Sequence, residues 1–361
     1  MNSKRNICFI IATILVFALM FWGLNGFGFK SDVSASVSNK AYIIDSDWTT
    51  PNQSKIKVVD LEQGRVVKTI PTGEYPQVEF SSDGSTMWLV DTDQNMVSKL
   101  SKYSTSTFDL IRSASLPKFV NIPNVYFPQL SVTNKHIYVG MQRLTETEPL
   151  KKWISVIDPD SLKVTSELDG CNDAREGWMI SRDDEVTIAC NSYVLNHKNE
   201  NNSKVWKANM NTLTKADRKN NLLGEHAGVV SDIDRNKVFS ITDTGVVRVG
   251  KESVSLNLPE GYGVVLNSVR NSDKDNHIYI GVSTLDNRGS RQIEQIWIVD
   301  AKKLSTIDVI KLQTPVTDYQ VQNGIVYGLT KTDLILTDIS SGQTVLSIKD
   351  VATSGVYLRV Q

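Results

Sequence analysis

Beyond residue 39 the apolar positions fall in short bursts, each cut off by a turn rich in Gly, Asn, Asp or Ser. Bursts of this length, enriched in β-branched and aromatic residues, predict strands and not helices. One burst recurs: an apolar residue, an aromatic, then more apolar residues. It stands at Ala41-Tyr42, Met87-Trp88, Ile137-Tyr138, Val238-Phe239, Ile278-Tyr279 and Val326-Tyr327, with Val186-Thr187-Ile188 as a weaker copy in the one large gap. The seven copies lie 40 to 52 residues apart, which is the blade period of a β-propeller.

Two further units accompany each copy. One follows it and ends on Asp, as in Ile56-Lys57-Val58-Val59-Asp60, Ile154–Asp158, Ile296–Asp300 and Leu334–Asp338, with weaker forms near Val97–Ser101, Val205–Asn209 and Val247–Gly250. A short turn and another β-branched run come next, so this unit reads as a hairpin of two outer strands. The other precedes the aromatic strand across a tight polar turn, as in Val78-Glu79-Phe80 before Ser82-Asp83-Gly84 and Tyr319-Gln320-Val321 before Asn323-Gly324. It reads as the innermost strand, since Asp-Gly and Asn-Gly supply the left-handed backbone of such turns. Tyr42 has no such strand before it, and Val356-Tyr357-Leu358-Arg359-Val360 has nothing after it. Joining them completes the first blade. The expected fold is therefore all-β: a seven-bladed β-propeller of the YVTN or WD40 kind, closed by the C-terminal strand.

The connections differ between the two ends of such a ring. Ser81–Ser85, Gln322–Gly324, Glu62–Gly64 and Ser340–Gly342 are short, whereas Asp45–Lys55, Ser113–Pro128, Gly140–Lys152, Asn191–Ser203, Leu213–Gly228 and Gly281–Arg291 are long and share the other end. Long loops on a rigid scaffold are where binding sits, or else tolerated insertions. Trp48 lies in the first of these loops, and Phe119, Tyr126 and Phe127 stand among three prolines in the second. Together they are a candidate aromatic pocket on the long-loop end, with burial in the core as the plainer alternative.

The first residues break the pattern. Lys4 and Arg5 precede an apolar run of eighteen residues, Ile7 to Leu24. That length lies between a signal-peptide core and a membrane span. Residues 1–6 are read as a cytoplasmic tail, 7–26 as a transmembrane helix or signal segment, 27–38 as a linker and 39–361 as the propeller. The positive charges hold the N-terminus inside, so the propeller is expected outside the membrane, as a single-pass protein or, after cleavage near Val33-Ser34-Ala35, as a secreted periplasmic one. In an oxidising compartment Cys171 and Cys190, the two cysteines beyond Cys8, read as a disulfide, at neighbouring strand ends of the long-loop face.

Charge and motifs narrow the chemistry. The net charge is −1 with both signs interspersed, which gives no footprint for nucleic acid. His136, His197, His226 and His277 are scattered over different repeats, and no pair has metal-ligand spacing. Asp60, Asp158, Asp300 and Asp338 stand at equivalent points of different repeats, which assigns them to turn amides and not to catalysis. No nucleophile elbow, P-loop or dinucleotide fingerprint is present. No catalytic residue is assigned.

Over most of residues 40–355 the chain resembles the heavy chain of methylamine and aromatic amine dehydrogenases. The resemblance rests on His277-Ile278-Tyr279 with Ile298-Val299-Asp300-Ala301-Lys302, on Leu213–Arg218, and on the stretch from Cys171 to Cys190-Asn191. It implies a non-catalytic periplasmic propeller that docks and gates a small, cysteine-rich light chain. That partner would carry the cofactor, tryptophan tryptophylquinone. The resemblance also places Trp48 in a loop that gates access. The alternative is a stand-alone binding or scaffold propeller that recognises a peptide, glycan or membrane protein through its long-loop face.

Overall fold

A computed structural model describes residues 40–46, 54–95, 97–120, 129–143, 151–169, 177–182, 185–190, 194–198, 202–206, 226–232, 237–249, 252–272, 276–284 and 292–361. Every regular element among them is a strand. None of the described residues forms a helix long and apolar enough to cross a membrane; the apolar run at 7–24 lies outside them.

The strands form seven four-stranded antiparallel sheets. β1 (Lys40–Asp45), β2 (Lys55–Asp60) and β3 (Arg65–Pro71) belong to the first. The second holds β4 to β7 (Glu74–Phe80, Thr86–Thr92, Val97–Ser104 and Leu110–Val120), and the third β8 to β11 (Gln129–Val132, Ile137–Arg143, Lys151–Ile157 and Val164–Asp169). The fourth holds β12 to β15 (Gly177–Arg182, Glu185–Cys190, Val194–Lys198 and Asn202–Trp206), and the fifth β16 to β19 (His226–Asp232, Lys237–Thr242, Val246–Val249 and Glu252–Ser255). The sixth holds β20 to β23 (Tyr262–Ser272, His277–Thr284, Ile293–Asp300 and Ser305–Val316), and the seventh β24 to β27 (Asp318–Gln322, Ile325–Leu329, Leu334–Asp338 and Thr344–Ile348). β28 (Gly355–Val360) pairs antiparallel with β1, so that the first sheet runs β28-β1-β2-β3.

Packing follows from the period of two along each strand. In β1, Tyr42 and Ile44 face one way and join Val78, Met87 and Leu89 of the second sheet. Ala41 and Ile43 face the other way and join Tyr327, Leu329 and Leu334 of the seventh. A strand covered on both faces has little room for polar side chains, and the second strand carries the longest buried run in the first, second, sixth and seventh sheets. The same apolar seams join the second sheet to the third, the fifth to the sixth and the sixth to the seventh. A hydroxyl contact at 2.5 Å between Ser131 and Ser181 links the third to the fourth.

The Asp-turn reading is borne out. Asp60 accepts the amides of Glu62 and Gln63, Asp158 that of Ser161, Asp300 those of Lys302 and Lys303, and Asp338 that of Ser341. The residue four beyond each Asp has a left-handed backbone: Gly64, Leu162, Leu304 and Gly342.

Two loop expectations are corrected. Ser113–Pro128 is not all loop, because β7 continues to Val120; its residues pair with β6 through Ser113↔Ser101 and Val120↔Val97. Asn191–Ser203 contains β14, which pairs with β13 through Ile188↔Leu195. Val205, read as part of a third strand, therefore lies in the fourth strand, β15. The polar residues of Val194–Lys198 hide a strand that backbone pairing defines.

Candidate functional site

The pairing register lines up one position in all seven inner strands. Arg359 pairs with Tyr42, Glu79 with Trp88, Ser131 with Tyr138, Ile180 with Thr187, Val230 with Phe239, Arg270 with Tyr279 and Gln320 with Tyr327. Each is the residue opposite the repeated aromatic position, and all lie within two residues of the tight-turn end of their strand. In chain order around the sheets, Arg270, Gln320, Arg359 and Glu79 are consecutive. The charged residues and Gln320 thus come from adjoining sheets, with Ser131 in the sheet after them.

These side chains reach forward to the next sheet. Arg270 Nη2 meets Asp318 Oδ1 at 2.5 Å, and Arg359 Nε lies 3.4 Å from Glu79 Oε1. Gln320 Nε2 donates to the Leu358 carbonyl at 3.4 Å. Tyr319 lies under the Arg270 guanidinium, 5.7 Å from carbon to ring centroid, and donates its hydroxyl to the Ser268 carbonyl. Asp318 also accepts the amides of Tyr319 and Leu358, both at 2.8 Å, and so ties three sheets together.

The two ion pairs differ in exposure. The side chains of Arg270 and Asp318 are 19% and 5% accessible, those of Arg359 and Glu79 27% and 35%. Burial pushes the Glu79 carboxyl above its usual range, and the positive charges of Arg359 and Arg270 offset that only in part. For Arg270, burial works against the charge, but Asp318 and Tyr319 more than restore it. Glu79 is thus surrounded by protein and still open to water. It is therefore not part of the sealed core between the sheets.

A second polar cluster stands at the long-loop end. Asp45, buried at the end of β1, accepts the amides of Thr353 and Ser354 and the Thr353 hydroxyl, and Lys57 Nζ lies 3.2 Å away. Burial would raise its pKa, but those amides and Lys57 prevail and hold it below the usual carboxylate range. This carboxylate fastens the loop before β28 to β1. Asp91 occupies a similar place in the second sheet, accepts the Gly73 amide at 2.7 Å as its one hydrogen bond among the described residues, and is pushed up by burial.

Among the residues expected to form the aromatic pocket, Phe119 lies in β7, the outermost strand of its sheet. Trp48, Tyr126 and Phe127 lie outside the described residues, as does Cys171; Cys190 ends β13. His277 begins β21 and His136 immediately precedes β9, each edge-on to the aromatic two residues on, Tyr279 and Tyr138. Among the described residues no three His, Cys, Asp or Glu are grouped to hold a metal. The sequence reading missed Glu79, Arg270, Arg359 and Asp318 as a group, although each is a charge within an inner strand.

No family model and no curated protein sequence matches the chain. Solved structures do resemble it in fold. A putative 6-phosphogluconolactonase from Bacteroides uniformis matches with a TM-score of 0.60 at 10% identity, over 90% of this chain and all of that one. The periplasmic gluconolactonase PpgL from Pseudomonas aeruginosa matches at 0.57 and 12%, over 89% of this chain and 99% of that one. AztD from Citrobacter koseri matches at 0.56 and 12%, over 88% and 96%. The chain has a β-propeller fold, and likeness at this identity defines no more than the fold.

Proposed function

We propose that the chain is a binding propeller. In this reading the seven sheets are the blades of one ring, closed by β28, which takes a small polar ligand on its axis and presents its long loops to a partner at the opposite end. The observation that carries it is the convergence of Arg270, Gln320, Arg359 and Glu79 from four consecutive inner strands, with Arg359 and Glu79 still accessible. A rigid scaffold holding a few aimed polar groups in a concave opening is the usual form of a ligand site. The N-terminal apolar run supports a place outside the membrane, anchored or released, where a Cys171–Cys190 bridge would be stable.

A panel of small polar metabolites tests the axial site by thermal shift. Ligands that raise the melting temperature of the native chain should lose that effect in the Arg359→Ala, Glu79→Ala double variant. Equal shifts in both would remove the axis as the binding site.

The docking role implied by the amine dehydrogenase resemblance stands as a second reading, supported by the sequence around Cys171, Cys190 and Trp48. It requires a cysteine-rich partner bearing tryptophan tryptophylquinone. Purification from the native membrane without such a partner or quinone absorbance would end it.

A further inference from the structure

The two axial ion pairs have different capacities left over. Asp318 is filled: Arg270 and the Tyr319 amide meet Oδ1, and the Leu358 amide meets Oδ2. Its contacts reach into the sixth, seventh and first sheets, so that pair holds the ring together. Glu79 and Arg359 are not filled. Their approach of 3.4 Å is long for a charge-assisted hydrogen bond, which settles near 2.7–2.9 Å. Among the described residues Glu79 has no other hydrogen-bond partner, and Arg359 otherwise gives only one Nη1 hydrogen to the Leu358 carbonyl. One carboxylate oxygen and most of a guanidinium fork are therefore unspent, side by side and open to water.

On the reading that the axis is a binding site, we infer that Arg359 and Glu79 together select a small carboxylate with a hydrogen-bond donor on the adjacent carbon, the chemistry of an α-hydroxy or α-amino acid. Arg359 takes the carboxylate through its fork. Glu79 takes the neighbouring hydroxyl or ammonium. A carboxylate without that donor meets Glu79 as a like charge or as an unsatisfied acceptor. A bare amine gains Glu79 but faces Arg359 with Arg270 behind it. Gln320, in the preceding blade, adds an amide within the same register layer.

Ligand-observed NMR titration of the full chain with L-lactate, L-alanine, propionate and ethylamine at neutral pH tests this. Lactate or alanine should bind about tenfold or more tightly than either single-function probe, the worth of one charge-assisted hydrogen bond. Glu79→Gln should shrink the preference for lactate over propionate, and Arg359→Lys should weaken every acid by about tenfold, because the ammonium cannot fork. Circular dichroism melting checks that both variants fold, and the ranking in the native chain needs no variant. If propionate binds as well as lactate and Arg359→Lys still weakens it, the donor requirement is wrong while the axial site stands. If no acid binds but other metabolites depend on Arg359 and Glu79, the ligand class is wrong. If nothing depends on these two residues, the axial reading falls with it.

Discussion

Arg270 and Asp318 meet across the joint between the sixth and seventh sheets, Nη2 to Oδ1 at 2.5 Å, with Asp318 almost fully enclosed. A pair like this adds little compared with apolar packing, but losing one member strands the other. Asp318→Asn should cost about 2–4 kcal/mol, read as a lower urea midpoint. Adding Arg270→Gln to it should recover part of that loss. An additive double variant would mean that the two residues act separately.

Asp45 makes stability depend on acid. Its carboxyl is held below the unfolded value, so its contribution is complete above about pH 4 and is lost as the pH falls through the lower, folded value. Asp45→Asn should lower stability at pH 7 by about 1–3 kcal/mol, with the difference from the native chain closing in acid. Chemical denaturation at a series of pH values measures it.

Glu79 works the other way. Its carboxyl is raised, so the folded protein holds that proton longer and the group weakens the fold increasingly as the pH climbs from the unfolded value, about 4.3, to the folded one. Glu79→Gln should therefore gain on the native chain across that climb and hold a constant difference above it. A difference that shrinks with rising pH would mean that the Arg359 attraction outweighs burial.

Gly64 and Leu304 hold the same turn position, with φ of +61° and +53°. The Leu304 side chain is buried, whereas a Cβ at Gly64 would meet nothing within 4 Å. Gly64→Ala should cost about 1–2 kcal/mol from backbone strain alone. Leu304→Gly relieves that strain but gives up a buried leucine, a loss of about 2–5 kcal/mol, and should be the more harmful change. Thermal melts of the two variants rank them.

The repeat was legible because the features that mark it are local. The aromatic sits on one strand, and the Asp that begins a turn with its left-handed residue four places on closes the next, so all three lie within one hairpin. The strand edges were less legible. Val194–Lys198 is β14 because Leu195 pairs with Ile188, a relation its own polar residues do not announce. The charged group on the inner strands was hidden for a different reason. Glu79, Arg270 and Arg359 each look like a stray charge in one strand. They become a site only when the inner strands are aligned on the residue opposite each aromatic, which gives the column Arg, Glu, Ser, Ile, Val, Arg and Gln. That column lies near the tight-turn end of the strands, so the length of the loops at the other end does not point to it.

β28 lies in the same sheet as β1, and Ser354 donates to Asp45 from 309 residues away. Completion of the first sheet therefore waits on β28, which follows every other described strand in the chain. Until β28 arrives, that edge of β1 is unpaired and Ala41 and Ile43 lack Leu358 beside them, a state open to mispairing with another chain. The edge of β1 is thus a place where a nascent chain gains from being shielded until β28 is made.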